Sequence, residues 1–150
     1  MQIRRAEALD VDALLPQFQV YLTFYKRQGA KDKVKEFLTQ NLALERSIIF
    51  IAVDAQEKIV GFTQLYWHLS SLSMAPYIYL SDLYVDQSCR KQGIAKLLMK
   101  EAEAFGIANG ATDIQLETAH TNAAAQELYE SLGYKWEQDY RTYALKLPTT

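Results

Sequence analysis

The sequence predicts a mixed α/β fold: a twisted, mostly antiparallel sheet with helices on both faces. Three observations carry that expectation. Runs rich in branched and aromatic residues, Ser47–Val53, Lys58–His68 and Tyr77–Val85, follow one another closely in the middle of the chain. Stretches with apolar residues at helical spacing flank them on both sides. The run Tyr77–Val85 also leads through a short basic loop with one glycine, Arg90-Lys91-Gln92-Gly93, straight into a helical pattern.

Taken in order, Gln2–Ala6 is a short first strand. Asp10 suits the N-cap of a helix from Val11 to Lys26, with Leu14, Leu15, Phe18, Tyr21, Leu22 and Tyr25 on one side. Pro16 falls in its first two turns and is expected to kink it or delay its start. Gln28-Gly29 breaks the pattern, and a second helix, Lys31–Leu44, carries the stripe Val34, Phe37, Leu38 and Leu42. Ser47–Val53 and Lys58–His68 form a hairpin around Asp54–Glu57. Leu69–Pro76 is a loop, and Tyr77–Val85 is the strand that feeds the basic loop. A long helix, Gln92–Asn109, closes at Gly110. Asp113–Thr118 is a strand, Asn122–Leu132 a helix ended by Gly133, and Trp136–Leu147 supplies one or two final strands. The expected order is β-α-α-β-β-β-α-β-α-β-β, with six or seven strands in the sheet.

With 150 residues, 49% hydrophobic and 23% charged, the chain is most simply one domain, 1–150, with a real core. A net charge of −2 argues against a general nucleic-acid binder, so any phosphate site must be local. Cys89 is the only cysteine, which rules out an internal disulfide and fits a reducing cytoplasm. Two histidines and one cysteine are too few and too scattered for a zinc site, so no metal is expected. No apolar run is long enough to span a bilayer, and no membrane partner is expected.

The basic loop has two readings. The first N–H groups of a helix lack partners, its dipole favours negative charge, and Arg90, Lys91 and Lys96 add full charges; this makes a phosphate site. Alternatively it is a solvated turn that caps a helix. It has neither the Gly-Lys-Ser/Thr ending of a nucleotide triphosphatase loop nor the glycine triad of a dinucleotide fold.

The second half of the chain bears on that choice. Arg90-Lys91-Gln92-Gly93-Ile94-Ala95 resembles the Gln/Arg-x-x-Gly-x-Gly/Ala signature of the GNAT superfamily of acetyl-CoA-dependent N-acetyltransferases. Asn122, Tyr129, Gly133 and Tyr134 resemble that family's Asn-x(6)-Tyr-x(3)-Gly-Phe/Tyr signature. The overall pattern looks closest to the small histone/polyamine-type members. The resemblance implies a GNAT-like fold and acetyl-CoA as co-substrate, with its pantetheine arm on backbone groups of Leu83, Tyr84 and Val85. Its pyrophosphate would sit on Arg90, Lys91, Gln92, Gly93, Ile94, Ala95 and Lys96, and Asn122 would lie beside the thioester. Ala95 stands where many members have glycine.

Tyr129 matches the family's usual general acid, since a phenol can protonate a departing thiolate. The bland alternative is a core aromatic on an amphipathic helix. Asp82 and Glu117 are the acids on the central strands, available to receive a proton from, or bind, an amine acceptor. In the polyamine-acetylating branch an acid at the position of Asp82 faces the substrate; otherwise Asp82 is a strand-end residue. Tyr21, Phe24 and Tyr25, with Trp67 and His68, form either an amine-accepting aromatic pocket or ordinary packing. His120 and Cys89 carry no assigned role. The acceptor is expected to be a small-molecule amine or a basic peptide. The closing segment Tyr140–Leu147 alternates like a strand and pairs either into the sheet or across a dimer. Small family members are often homodimers, and a homodimer is expected. Two other classes stay open: a non-catalytic acyl-CoA sensor or regulatory module, and an enzyme that acetylates a protein N-terminus or lysine.

Overall fold

The computed structural model describes residues 1–149. The chain divides into two compact units, Met1–Glu117 and Thr118–Thr150. The first holds β1 (Gln2–Arg5), α1 (Val11–Phe24), α2 (Lys31–Ala43), β2 (Ile48–Val53), β3 (Ile59–Ser70), β4 (Ala75–Val85), α3 (Ile94–Ala108) and β5 (Ile114–Gln115). The second holds α4 (Ala123–Ser131). Among the described residues no helix is long and apolar enough to cross a membrane.

The five strands of the first unit run in the order β1-β2-β3-β4-β5. The first three pairings are antiparallel and β4–β5 is parallel. All six residues of β2 are buried, as a strand covered on both faces requires. Ile49, Ile51 and Val53 join Leu14, Leu15, Phe18, Val34 and Leu38 in one core cluster beneath α1 and α2. On the opposite face the ring of Phe50 lies 5.7 Å from that of Phe105 on α3. Period-two alternation thus divides one strand between two helical layers. Gly61 on β3 is a point of close approach: a Cβ there would meet the Tyr84 carbonyl oxygen at 2.9 Å and the Leu98 side chain of α3 at 3.4 Å.

Asp10 does not cap α1 as its sequence position suggests. Its backbone is already helical, and its side chain reaches backward. It accepts the Glu7 N–H at 2.7 Å and both terminal nitrogens of Arg4 at 2.9 and 2.7 Å. The Arg4 hydrogen bonds hold its carboxyl below the usual range despite burial. Pro16 lies inside α1, which continues through it as one helix. The missing N–H costs the one bond it would have made to the Asp12 carbonyl, and the rest of the ladder carries the helix through. β3 and β4 are longer than expected and take up half of the Leu69–Pro76 loop, while β5 keeps only two residues of Asp113–Thr118 as strand.

Two features of β4 matter most. Its register with β3 passes from Gln64↔Asp82 to Leu65↔Leu80, leaving Ser81 as an extra, bulged residue. A bulge reverses the parity of the strand. Asp82 and Tyr84 therefore face α1, whereas Ile78 packs at Gly106 of α3. In addition, β4 pairs with β5 only at Ile78 and Tyr79. From Leu80 to Val85 its ladder partner among the described residues is β3 alone.

In the second unit, Asn122 caps α4, its side-chain oxygen accepting the Ala125 N–H at 3.3 Å. Gly133, at φ 93°, turns the chain out of the helix, and the Tyr134 N–H returns to the Tyr129 carbonyl at 3.0 Å. The strands expected over Trp136–Leu147 do not form. The sheet has five strands, and this segment carries no regular secondary structure, with Trp136, Tyr140, Tyr143, Leu145 and Leu147 exposed. Alternation prepares a segment to be a strand, but only a ladder partner makes it one.

Candidate active site

The loop between β4 and α3 is built from backbone conformation and fixed by Asp86. One Asp86 oxygen accepts the Ser88 N–H at 2.9 Å and the Ser88 hydroxyl at 2.6 Å; the other accepts the Gln17 amide of α1 at 3.0 Å. The Ser88 hydroxyl, then Gln17 and the Ser88 N–H, hold its carboxyl down to about 2. Arg90 turns back toward β4, contrary to the expectation of a free cation in the loop. Its Nε donates to the Val85 carbonyl at 3.2 Å, and its guanidinium lies 5.9 Å from the Tyr84 ring centre and 6.0 Å from that of Phe24.

Lys91 and Gly93 both adopt left-handed backbone, at φ 62° and 78°. Nothing lies within 4 Å of a Cβ at Gly93, so its glycine is required by backbone sign, not by crowding. Lys91 lacks that freedom, and its conformation costs about 1 kcal/mol. Leu97 makes the first helical bond, to the Gly93 carbonyl at 3.1 Å. The N–H groups of Ile94, Ala95 and Lys96 precede it and have no partner among the described residues. Three orphan donors at the mouth of a helix, with exposed Lys91 and Lys96 beside them, form an anion cradle.

A second arrangement occupies the opposite face of the sheet from α3. A cavity of about 360 Å³ lies between α1, α2, β3 and β4, and Asp82 lines it. Tyr21 donates its hydroxyl to one Asp82 oxygen at 2.8 Å, and Gln64 donates its amide to the other at 2.8 Å. Gln64 is buried and cannot turn around, because its own oxygen accepts Ser47 Oγ at 2.7 Å and Asn41 Nδ2 at 3.0 Å. Asn41 also donates to the Tyr66 hydroxyl at 3.2 Å. Burial, and then the negative charge of Asp82, push the Tyr66 phenol above its ordinary range, so it stays neutral. Each Asp82 oxygen keeps further acceptor capacity after these bonds. The carboxylate is held in place while remaining able to take a proton or bind an ammonium.

The sequence reading missed Gln64, Asn41, Ser47, Tyr66 and Gln17. One signal was present: Gln64 interrupts the apolar run Ile59–Leu65, and a polar side chain in a buried strand requires partners. Tyr25 does not line the cavity; it is half exposed and packs its ring edge-on against Tyr21, 5.1 Å away. Trp67 faces the other layer, 5.8 Å from Phe105. His68 pairs with Tyr77 and Tyr79. Glu117 is exposed beyond the end of β5 and acts on Tyr79, helping burial to raise that phenol. In the second unit, Tyr129 is half-buried on α4 with the Tyr134 ring 6.1 Å away.

The model of the acetyltransferase (GNAT) family matches residues 14–134, crossing the boundary between the two units. The chain belongs to the GNAT family.

An uncharacterized N-acetyltransferase of Bacillus subtilis, YhfO, is 36% identical over 148 residues, covering 99% of each chain. A probable acetyltransferase of Haemophilus influenzae is 30% identical over 147 residues, covering 98% of this chain and 99% of its own. A crystal structure of a probable acetyltransferase superposes over 100% of both chains, with a TM-score of 0.94 and 30% identity. As a GNAT protein the chain is an acyltransferase of N-acetyltransferase type, in a family whose co-substrate is acetyl-CoA. The residues present fit that molecule. The donors of Ile94–Lys96 match a pyrophosphate, and the unpaired edge of β4 at Leu83, Tyr84 and Val85 matches an arm that carries amides.

Proposed function

We propose that this GNAT protein transfers an acetyl group from acetyl-CoA to a primary amine that enters the cavity over Asp82. The observation that carries the reading is the fixed Asp82 carboxylate in the cavity wall, one oxygen held by Tyr21 and the other by Gln64. An amine reaches this protein mostly as an ammonium, which cannot attack. Asp82 attracts that cation, orients it, and takes the proton that must leave before nitrogen can act. Bound acetyl-CoA supplies an activated acetyl thioester. The N–C bond forms as the C–S bond breaks. Of the three ammonium protons one stays on the amide, one ends on sulfur and one is released to solvent.

Lys91 to Lys96 hold the pyrophosphate, and backbone groups of Leu83 to Val85 hold the arm. Tyr129, on the strength of its motif, donates the proton to sulfur. Asn122 stands beside it in the same motif. The exposed apolar residues Tyr143, Leu145 and Leu147 support a homodimer in which this segment finds its ladder partner in a second copy. Sedimentation that gives a monomer at micromolar concentration removes that part.

An acetyl-CoA consumption screen across polyamines, aminoglycosides, amino acids and basic peptides tests the activity. Turnover of at least one amine is expected, with Tyr129→Phe lowering kcat about 10²-fold. Tight coenzyme A binding without turnover of any acceptor points instead to a sensor.

A further inference from the structure

The Asp82 cavity also carries information about what else the acceptor must bear, if it is the acceptor site as proposed above. Its lining contains one acid, Asp82, and one base, Lys33. Lys33 stands exposed on the first turn of α2 and forms no ion pair among the described residues. Two residues further on, Lys35 is engaged by Asp12 at 2.7 Å. The chain leading to Lys33 adds Lys26, Arg27 and Lys31 against the single acid Asp32. The β4 wall, with half-buried Asp82, is therefore anionic and the exposed rim cationic, with Phe18, Val34 and Phe37 among the apolar residues of the lining.

Such a cavity discriminates. A polyamine or an aminoglycoside brings several positive charges and needs several acids; here its second ammonium meets Lys33 instead. The cavity, at about 360 Å³, has room for an amino acid.

We infer that the acceptor is an amine carrying a carboxylate, a free amino acid, with its ammonium on Asp82 and its carboxylate on Lys33. Lys33 is then the specificity-determining residue. This differs from the polyamine-type acceptor suggested by the sequence pattern. The physical reason is a single charge on α2 that no motif records.

The test compares matched acceptors that differ only in the carboxylate: lysine with cadaverine and with lysine amide, ornithine with putrescine, together with a panel of free amino acids. The expected result is turnover of at least one amino acid with kcat/KM about tenfold or more above its decarboxylated counterpart. Lys33→Ala should raise KM for that amino acid more than it lowers kcat. Lys33→Glu should reverse the preference toward the diamine, and Lys33→Arg should keep it. The KM for acetyl-CoA reports whether each variant retains its donor site. Diamines turned over as well as or better than amino acids, or a preference unmoved by Lys33→Glu, overturn the inference and leave the acetyltransferase reading standing. No turnover of any amine by wild-type protein that binds acetyl-CoA removes the acceptor-site reading itself.

Discussion

The loop before α3 and the cavity over Asp82 are opposite ways of building a site. The loop is contiguous: residues 86–96 hold their own shape through Asp86 and Ser88 and through left-handed backbone at Lys91 and Gly93. Its working groups are main-chain N–H donors, so side-chain identity matters mainly where it controls φ. The cavity is assembled from residues up to 64 positions apart, Phe18 to Asp82, on two helices and two strands. Its working groups are side chains aimed by other side chains. A site made of backbone tolerates side-chain drift and suits a donor shared by a whole family. A site made of relayed side chains changes with single substitutions and suits an acceptor that differs between members.

Six substitutions can break or sharpen this contrast. Asp82→Asn keeps the shape and the two hydrogen-bonded neighbours but removes the charge and the proton acceptor. Steady-state kinetics should show kcat/KM for the amine falling about 10²- to 10⁴-fold with the KM for acetyl-CoA little changed. A fall of less than threefold would remove Asp82 from the chemistry.

Gly93→Val forces a β-branched residue into left-handed backbone and spoils the cradle. Here the KM for acetyl-CoA should rise about 10- to 100-fold while the amine KM holds. Equal damage to both constants would show that the two sites are not separable.

Gln64→Leu leaves Asp82 with Tyr21 alone and strands Ser47 and Asn41. A drop of about tenfold in kcat is expected, with stability reduced by about 1–3 kcal/mol in urea unfolding. Ser47→Ala, which frees the Gln64 amide to turn, and Asn41→Ala, which also removes a donor from the Tyr66 hydroxyl, should give smaller shifts in the same direction. Loss of stability without loss of kcat would make Gln64 a packing residue and not a positioning one.

Asp86→Asn should have the smallest effect, roughly 1 kcal/mol at neutral pH. The folded carboxyl is held at about 2, below its value in an unfolded chain. Its stabilisation is therefore complete above the unfolded value, near 3.9, and is lost as pH falls toward 2. Unfolding curves of wild type and variant should converge in that window. A gap that persists below pH 2 would mean the Asp86 charge is not its source.

Much of the fold was legible because its signals are local. Helical stripes located α1, α2, α3 and α4 to within two residues at either end, and β-branched runs located β2, β3 and β4. The failures came where pairing decides. Trp136–Leu147 alternates as a strand should, yet no ladder partner makes it one, and β5 shrinks to two residues. The basic loop was legible as an anion site, although Arg90 proved to serve the end of β4 by binding the Val85 carbonyl. The sequence pattern does not separate Tyr21 from Tyr25, because both lie on one helical face and four residues make little difference to a periodicity. Only the turn of α1 over β4 brings one hydroxyl, and not the other, to Asp82.

The sequence by itself pointed to the family, to the order of elements as far as α4 and to an anion cradle at the start of α3. Those depend on spacing, glycine position and helix starts within short windows. The tertiary structure decided the side proposed for the acceptor. The bulge at Ser81 turns Asp82 toward α1, and the crossing of α2 over β3 brings Asn41 to Gln64. The same fold sets Lys33 in a cavity lined by an acid 49 positions away. Charge and hydrogen-bond complementarity act through space, and distance in space is what a linear pattern does not encode.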